Sequence, residues 1–446
     1  MSEWVEKDLR YIWHPYTQMK DCEELAPILI ERAEGVKLYD EGGNFYYDTI
    51  SSWWCNVHGH NHPKIKAAVA GQLERLEHVL FAGFTHRGAI ELAEKLVSIT
   101  PKGLTKVFFS DNGSTSVEAA LKMSFQYRQN KGQEKKRKFV SLDLAYHGDT
   151  IGAMSIGGET VFNRVFDALR FETLKVPSPY CYRCPMGKER KSCNVDCLGL
   201  LAKVLKKKGE EITALILEPL LMGAAGMVVY PVEYLTGAAE LAKENDVHLI
   251  VDEVATGFGR TGKMFACEHG GVEPDFMCLS KGLTSGTVPL AATLTTEEIY
   301  GAFYDDYEKG KTFYHGHTYT ANAVGCAAAL ASLEIFEEEK TLEHVEGLIP
   351  ILHNGMEKLR ELRFVGDVRC IGMVGAVELV RDKETKEAFG AGERKGYEVF
   401  KAGLLEHLIL RPLGEVIYLV VPLSITREEL EDILSRTNKV ISGLGG

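Results

Sequence analysis

A lysine and an aspartate each follow an apolar run that is typical of a buried strand. Asp252 comes directly after residues 249–251, and Lys281 follows shortly after residues 276–279. Polar groups at the carboxyl ends of parallel strands meet in one crevice. There, a lysine amine can form a Schiff base with pyridoxal phosphate, and a carboxylate can keep the pyridine nitrogen protonated. The pair therefore predicts a vitamin B6 enzyme with pyridoxal phosphate as its cofactor.

A turn of small polar residues, 110–115, lies between an apolar run and a helical pattern. Free N–H groups and the dipole at the start of a helix attract phosphate, so we expect Gly113 and Ser114 to bind the cofactor phosphate. The spacing of Thr115 and Glu118 predicts a capping box at this helix start. An ordinary capped loop is the alternative when the motif is considered alone.

Two further residues follow predicted strands. Tyr146 comes after residues 139–142, where its ring could stack on the flat pyridine of the cofactor. A turn with packed aromatic rings explains Tyr146 equally well. Glu218 ends residues 214–217 and offers a second carboxylate at the same edge, although a surface acid before a proline fits the pattern as well.

Residues 257–263 nearly complete a nucleotide-binding P-loop. The eighth position of that loop is Met264, whereas a P-loop needs Ser or Thr there to hold Mg²⁺. The loop also follows the Walker-B-like residues 250–253, which reverses the order found in an ATPase. These departures argue against an ATPase.

The pattern of apolar runs along the chain predicts the fold that positions these polar residues. Alternating apolar runs and helical patterns across residues 105–294 predict a mostly parallel sheet with helices on both faces. Residues 36–48 predict a hairpin, residues 321–338 a long helix, and residues 373–380 and 416–420 two later strands. We expect an α/β protein with a large domain and a small one. The predicted large domain covers residues 60–330, and both chain ends, 1–59 and 331–446, form a small α+β domain.

Composition and charge narrow the class of protein. The chain of 446 residues has 51 Lys and Arg against 63 Asp and Glu, a net charge of −12, which argues against nucleic acid or a membrane as a partner. No apolar stretch is long enough to span a bilayer, and the acidic N-terminus predicts neither a signal nor a transit peptide. Cysteines without an export signal are typical of reduced thiols, so we expect a cytoplasmic protein.

Cys181 and Cys184, followed by Cys193 and Cys197, form two close pairs. This spacing is credible for zinc or for an iron–sulfur cluster, and it leaves open a non-enzymatic metal-binding protein. Four reduced thiols on a surface excursion are the simpler interpretation, so no metal is predicted.

Together these residues resemble the class III aminotransferases of fold type I, and the resemblance covers nearly the whole chain. Its most specific signature is residues 251–262 followed by Lys281. Four other segments resemble the branch of that family that acts in biotin biosynthesis: residues 13–19, 52–54, 58–63 and 411–414. Because the family has a turn before a helix at residues 58–63, we expect no metal cluster from the histidines there.

The resemblance implies a homodimer with both active sites at the subunit interface. Lys281 would be the Schiff-base lysine and proton shuttle, Asp252 the partner of the pyridinium, and Tyr146 the stacking ring. Gly113 and Ser114 would hold the phosphate, together with Thr318 from the neighbouring subunit. The residues that would line the substrate pocket are Tyr16, Trp53, Trp54, Tyr146, Lys281, Gly316 and Tyr418.

Arg411 would then pair with the carboxylate of 8-amino-7-oxononanoate, which the branch converts to 7,8-diaminononanoate. A long aliphatic keto acid suits an aromatic wall with one guanidinium. Apart from the resemblance, Trp53 and Trp54 as core residues and Arg411 as a solvated charge are the simpler interpretations.

The amino donor is left open by two conflicting residues. His317 resembles the branch that uses lysine, whereas Tyr418 resembles the branch that uses S-adenosylmethionine, which is our expectation. A further departure is Met222, where relatives often have glutamine. Another class III transaminase, acting on an ω-amino acid or a diamine, is the alternative function.

Overall fold

The computed structural model describes residues 2–390 and 392–444. The outer limits of the predicted small domain, residues 1 and 446, lie outside the described residues. The helices are α1 (Glu3–Tyr11), α2 (Ser51–Trp54), α3 (Pro63–Leu73), α4 (Arg87–Ile99), α5 (Gly113–Asn130), α6 (Ile151–Ile156), α7 (Leu198–Lys208), α8 (Val232–Glu244), α9 (Glu297–Gly301), α10 (Ala323–Glu338), α11 (Thr341–Lys358), α12 (Lys395–Leu405) and α13 (Arg427–Ser442). In residues 2–390 and 392–444, no helix has the length and the apolar character needed to cross a membrane.

The strands are β1 (Ile30–Glu34), β2 (Lys37–Asp40), β3 (Phe45–Tyr47), β4 (Leu104–Ser110), β5 (Lys138–Leu142), β6 (Leu174–Val176), β7 (Ile212–Leu217), β8 (Leu221–Met222), β9 (Val228–Val229), β10 (His248–Asp252), β11 (Phe276–Leu279), β12 (Ala291–Thr296), β13 (Val365–Ile371), β14 (Val374–Leu379) and β15 (Val416–Val420). The predicted strands β5, β7, β10 and β11 are all present, and β11 has the predicted limits.

The central sheet has the strand order β4-β12-β11-β10-β7-β5-β6. Strands β11, β10, β7, β5 and β6 are parallel, whereas β12 is antiparallel to both of its neighbours. The prediction of a mostly parallel sheet is therefore confirmed. In the register of β10 and β11, Asp252 lies opposite Cys278, so the carboxyl ends of these strands coincide.

Both faces of the central sheet are covered, which explains why its strands have continuous apolar runs. Ile250 and Phe276 pack with residues of α5 on one face. Val251 and Met277, the next residues along the same strands, belong to the larger core on the other face. Successive side chains of a strand point to opposite faces, so a strand that is buried on both sides has no polar alternation.

Antiparallel sheets form at the two chain ends. The hairpin β2–β3 is confirmed, with Leu38 opposite Tyr46, and the later strands β14 and β15 pair in one sheet with β13. The ends also meet, because the N–H of Val420 donates to the carbonyl of Thr49 at 2.8 Å. This contact agrees with a domain built from both ends, although its limits stay a prediction.

Candidate active site

Asp252 and Lys281 lie at one end of the central sheet and line the same cavity, of about 450 Å³. Lys281 begins a short 3₁₀ turn, Lys281–Thr284, directly after β11. We call this cavity the lysine cavity. Its wall contains all the cofactor-binding residues that were predicted within one chain: Gly113, Ser114, Tyr146, Asp252 and Lys281.

The Asp252 carboxylate is held by two donors. Its Oδ2 atom accepts a hydrogen bond from Nδ1 of His147 at 2.7 Å, and its Oδ1 atom accepts one from the N–H of Val254 at 3.1 Å. Both Asp252 and His147 are buried. No role was predicted for His147, because only the fold brings it beside Asp252.

Lys281 is partly exposed at the cavity wall, and its Nζ lies 4.8 Å from the ring centre of Trp54. Burial by the surrounding protein lowers the pKa of Lys281, while the carboxylates of Asp252 and Glu218 oppose that shift. A lower pKa increases the share of neutral amine, which is the nucleophilic and proton-accepting form.

Glu218 is buried beside the lysine cavity, so the surface-acid interpretation is wrong. Burial raises the pKa of Glu218 to about 7. One carboxylate oxygen accepts from the N–H of Tyr146 at 3.0 Å, and the other accepts from the N–H of Gly223 at 2.9 Å. A Cβ at Gly223 would lie 2.9 Å from the Trp54 ring. Glu218 thereby connects the segments that carry Tyr146 and support Trp54.

Helix α5 begins at Gly113, as expected for a phosphate site, but its capping box differs from the prediction. The N-cap is Asn112, whose side chain accepts from the N–H of Thr115 at 3.1 Å. The predicted box from Thr115 to Glu118 is wrong, because Asn112 is already in the extended conformation that precedes a helix. Glu118 instead accepts from the Thr150 hydroxyl at 2.7 Å.

The helix start can accept a phosphate. The first N–H groups of a helix have no acceptor within it, and the helix dipole favours an anion there. The backbone is also closely packed, since a Cβ at Gly113 would lie 2.6 Å from Val254 Cγ1. A Cβ at Gly148 would collide with Ser114. Glycine at both positions therefore lets the chain pack closely at the wall of the lysine cavity, and the residues present fit pyridoxal phosphate.

A second cavity of about 490 Å³, which we call the aromatic cavity, shares part of its wall with the first. The shared residues are Trp54, Cys55, Tyr146 and Lys281. The other predicted substrate residues that line it are Tyr16, Trp53, Arg411 and Tyr418. Lys281 is thus part of the wall that the two cavities share.

Aromatic edges and one guanidinium define the aromatic cavity. The rings of Tyr16 and Trp53 lie 5.5 Å apart in a T-shaped arrangement. The Cζ atom of Arg411 lies 5.2 Å from the Trp53 ring centre, and its Nη2 donates to the carbonyl of Tyr16 at 2.9 Å. Trp54 is buried against Tyr418 and also lines the cavity, whereas Trp53 is exposed. The interpretation of both tryptophans as core residues is therefore correct in part for Trp54 and wrong for Trp53.

Tyr146 lies between the two cavities. Its hydroxyl donates to Asp149 at 2.9 Å and lies 3.3 Å from the hydroxyl of Tyr16, which also donates to Asp149. Burial raises the pKa of Tyr16 to about 12 and raises that of Tyr146 as well. Both phenols therefore remain protonated and neutral at physiological pH.

Gly316 and Thr318 are exposed and lie outside both cavities of the described chain. The roles of Gly316 and Thr318 stay predictions.

The cysteine and histidine clusters have other partners. All four cysteines of residues 181–197 are free thiols. His60 bonds to Asp48 at 2.8 Å, and His62 caps α3, as the turn before a helix required. Within the described parts of the chain, His, Cys, Asp and Glu side chains nowhere form a group of three or more that could hold a metal ion.

Comparisons with known proteins agree with this geometry. A model of the family described as aminotransferase class-III matches residues 19–441. The chain is 47% identical over 440 residues to adenosylmethionine-8-amino-7-oxononanoate aminotransferase of Geobacter sulfurreducens, covering 98% of this chain and 97% of that protein. It is 48% identical over 438 residues to the Aquifex aeolicus protein of the same name, with coverage of 98% and 96%.

Solved structures are similar over the same length. The crystal structure of adenosylmethionine-8-amino-7-oxononanoate aminotransferase from Methanocaldococcus jannaschii is 46% identical, with a TM-score of 0.93 and 98% of each chain covered. The omega transaminase of Pseudomonas jessenii in complex with PMP is 33% identical, with a TM-score of 0.94 and all of each chain covered.

Proposed function

The chain belongs to the class-III aminotransferases, which depend on pyridoxal phosphate, and on that premise we propose that it converts 8-amino-7-oxononanoate to 7,8-diaminononanoate in biotin biosynthesis. The observation that carries the proposal is the aromatic cavity, where Arg411 and Trp53 lie on the wall that ends at Lys281. The names of the relatives from Geobacter sulfurreducens and Aquifex aeolicus support the same substrate.

Each part of the lysine cavity suits one part of the cofactor. The N–H groups of Gly113 and Ser114 would bind its phosphate, the ring of Tyr146 would pack on its ring, and Asp252 would pair with its ring nitrogen. When bound, pyridoxal phosphate supplies a carbonyl that condenses with amines and a ring that accepts electrons. His147 and the Val254 N–H stabilise the charge on Asp252 that this pairing needs.

The proposed catalytic group is Nζ of Lys281. Its lowered pKa would allow the neutral amine to take a proton from the donor carbon that carries the nitrogen and to deliver it to the carbon that the cofactor would supply as its carbonyl. The reverse transfer would place a proton on the carbonyl carbon of the keto acid. The Trp54 ring beneath Nζ restricts where the amine can move. Such proton transfer by a positioned side chain contributes typically about 10²–10⁴-fold to the rate.

The aromatic cavity suits a long aliphatic acid. The guanidinium of Arg411 donates one N–H to Tyr16, and an arginine has five donors, which leaves enough for a carboxylate. The rings of Tyr16 and Trp53 would cover the aliphatic chain between that carboxylate and Lys281.

S-adenosylmethionine is the proposed amino donor, in agreement with the names of the relatives and with Tyr418, which lines the aromatic cavity. Lysine is the alternative that His317 supports. A second candidate function is transamination of another ω-amino acid or diamine, which the likeness to the Pseudomonas jessenii enzyme favours.

A homodimer in the cytoplasm completes the proposal. Tyr314 and Tyr319 are 78% and 60% exposed, on either side of Gly316 and Thr318. A second copy that covers these rings would bring Thr318 near a phosphate site. Free thiols throughout the described chain agree with a reducing compartment.

The donor half-reaction tests the proposal. Protein loaded with pyridoxal phosphate is mixed with S-adenosylmethionine or with lysine, and formation of pyridoxamine phosphate is followed by absorbance. We expect conversion with S-adenosylmethionine and none in Lys281→Ala. If neither amine reacts but another ω-amine does, the second candidate function replaces the first.

A further inference from the structure

Helix α2, the short segment Ser51–Trp54, is a left-handed turn built without glycine. The φ angles of Ser51, Ser52, Trp53 and Trp54 are 48°, 45°, 74° and 70°. L-residues visit this region as single residues, because Cβ crowds the following carbonyl oxygen. Four in a row form a strained backbone, which persists only where the surrounding structure holds it.

Asp48 holds this turn directly. Its Oδ1 atom accepts the N–H of Ser52 at 2.9 Å, and its Oδ2 atom accepts the Ser52 hydroxyl at 2.7 Å. The same Oδ2 atom accepts Nε2 of His60 at 2.8 Å. Asp48 is 1% exposed, so its oxygens depend on these protein donors for hydrogen bonds. The backbone N–H and the hydroxyl of Ser52 are therefore both held by one buried carboxylate.

The conformation of the turn determines the positions of the Trp53 and Trp54 rings. Trp53 points to Tyr16 and Arg411 in the aromatic cavity. Trp54, the next residue, is buried under the amine of Lys281. A turn that relaxed toward negative φ would move both rings at once, because they are adjacent in the chain.

We propose that Asp48, braced by His60, is a positioning residue that keeps Ser52 in the left-handed turn and so fixes Trp53 and Trp54 around the substrate. This inference rests on the proposed function, since these rings form the proposed wall for the keto acid. Asp48 acts through the turn and does not itself line either cavity as the described residues form them.

A pair of substitutions at Ser52 tests the strain. Ser52 is exposed, so neither Ser52→Ala nor Ser52→Gly opens the core. Both remove the hydroxyl bond to Asp48, but only glycine adopts positive φ without cost. We expect Ser52→Ala to raise KM for 8-amino-7-oxononanoate about tenfold and Ser52→Gly less than about threefold. Equal KM values for the two variants, or a larger rise for glycine, would overturn the proposal.

A measurement that needs no activity tests Asp48. We expect Asp48→Ala to speed hydrogen exchange of the Ser52 amide at least about tenfold, as measured by mass spectrometry on peptides that cover the turn. If Asp48→Ala does not fold, Asp48→Asn is used, with a smaller increase expected because its amide keeps one acceptor oxygen. An unchanged exchange rate in the folded variant would overturn the positioning role.

Asp382 provides the matched control. Its carboxylate accepts the N–H of Thr385 at 2.7 Å and the Thr385 hydroxyl at 2.9 Å, as Asp48 does for Ser52. Asp382→Ala should leave both KM and the exchange of the turn unchanged, and a change there would contradict a specific role for Asp48. If wild-type protein does not convert 8-amino-7-oxononanoate but the exchange results are as expected, the proposed substrate is wrong and the positioning role of Asp48 is still supported.

Discussion

The Nδ1 atom of His147 lies 2.7 Å from Oδ2 of Asp252, and both side chains are buried at the end of the central sheet. A buried carboxylate needs donors to stay charged, because burial alone favours its protonated form. Asp252 has this imidazole and one backbone N–H. The imidazole is therefore the side-chain group that would support Asp252 in its proposed pairing with the cofactor ring nitrogen.

Removing His147 should weaken the reaction. In His147→Ala, Asp252 loses a charge-assisted hydrogen bond that contributes about 1.5–3 kcal/mol, so we expect kcat/KM to fall about ten- to hundredfold. Steady-state kinetics on cofactor-saturated protein measure this. His62→Ala, which removes a histidine that caps α3 and bonds to Glu339 outside both cavities, is the control. A His147→Ala variant within twofold of wild type would contradict the role of the pair.

Glu218 should make stability depend on pH. Burial raises its pKa from 4.5 to about 7, so the folded protein binds this proton more tightly than the unfolded chain. The stability that it contributes is fully present below pH 4.5 and is lost as pH rises through about 7. Glu218→Gln has no such loss.

Urea unfolding of cofactor-free wild type and Glu218→Gln between about pH 5 and pH 8 measures this difference. The free energy of unfolding of Glu218→Gln, relative to that of wild type, should increase as pH rises. At the lowest pH the variant should be less stable, because glutamine presents an NH₂ group to one of the two backbone donors. A difference that is independent of pH would show that Glu218 does not titrate in this range.

Arg411 should control affinity for the keto acid. Arg411→Lys keeps the charge but loses the planar fork and the stacking on Trp53. We expect KM for 8-amino-7-oxononanoate to rise about tenfold or more, with a smaller change in kcat. The control is Arg381→Lys, which changes a surface arginine that pairs with Glu393. An unchanged KM in Arg411→Lys would remove this residue from the substrate site.

Gly113 should be needed for cofactor affinity. A Cβ there would lie 2.6 Å from Val254 Cγ1, so Gly113→Ala must displace either the Val254 side chain or the start of α5. We expect the Kd for pyridoxal phosphate to rise about tenfold or more, measured by titration of absorbance. Adding Val254→Ala makes room for the Cβ and should recover most of the affinity. Failure of that recovery would mean that the loss has another cause than this contact.

The sequence predicted the central strands well, because strands that are buried on both faces have continuous apolar runs. The limits of β11 were predicted correctly for this reason. Strand β1 was missed, since four of its five residues are exposed and carry no apolar alternation. The placement of Asp252 and Lys281 followed from the strands that precede them, so this part of the site could be predicted as well.

Other parts of the site depend on contacts between distant residues. A single Glu before a proline gives no sign of burial, and Glu218 is buried only because the segments of Tyr146 and Gly223 close around it. The proposed role of His147 depends on Asp252, which is remote in the chain. The proposed role of Asp48 depends on the left-handed turn Ser51–Trp54. The positive φ angles of Ser51–Trp54 have no signal in the sequence, because no glycine or asparagine occurs there.

The acceptor half-reaction tests the central claim most directly. Protein loaded with pyridoxamine phosphate is mixed with 8-amino-7-oxononanoate in a single turnover, and the product is identified by mass spectrometry. The proposed function predicts 7,8-diaminononanoate in an amount close to that of the active sites, and none from Lys281→Ala. No diamine from wild type, under conditions where another carbonyl substrate is aminated, would contradict it.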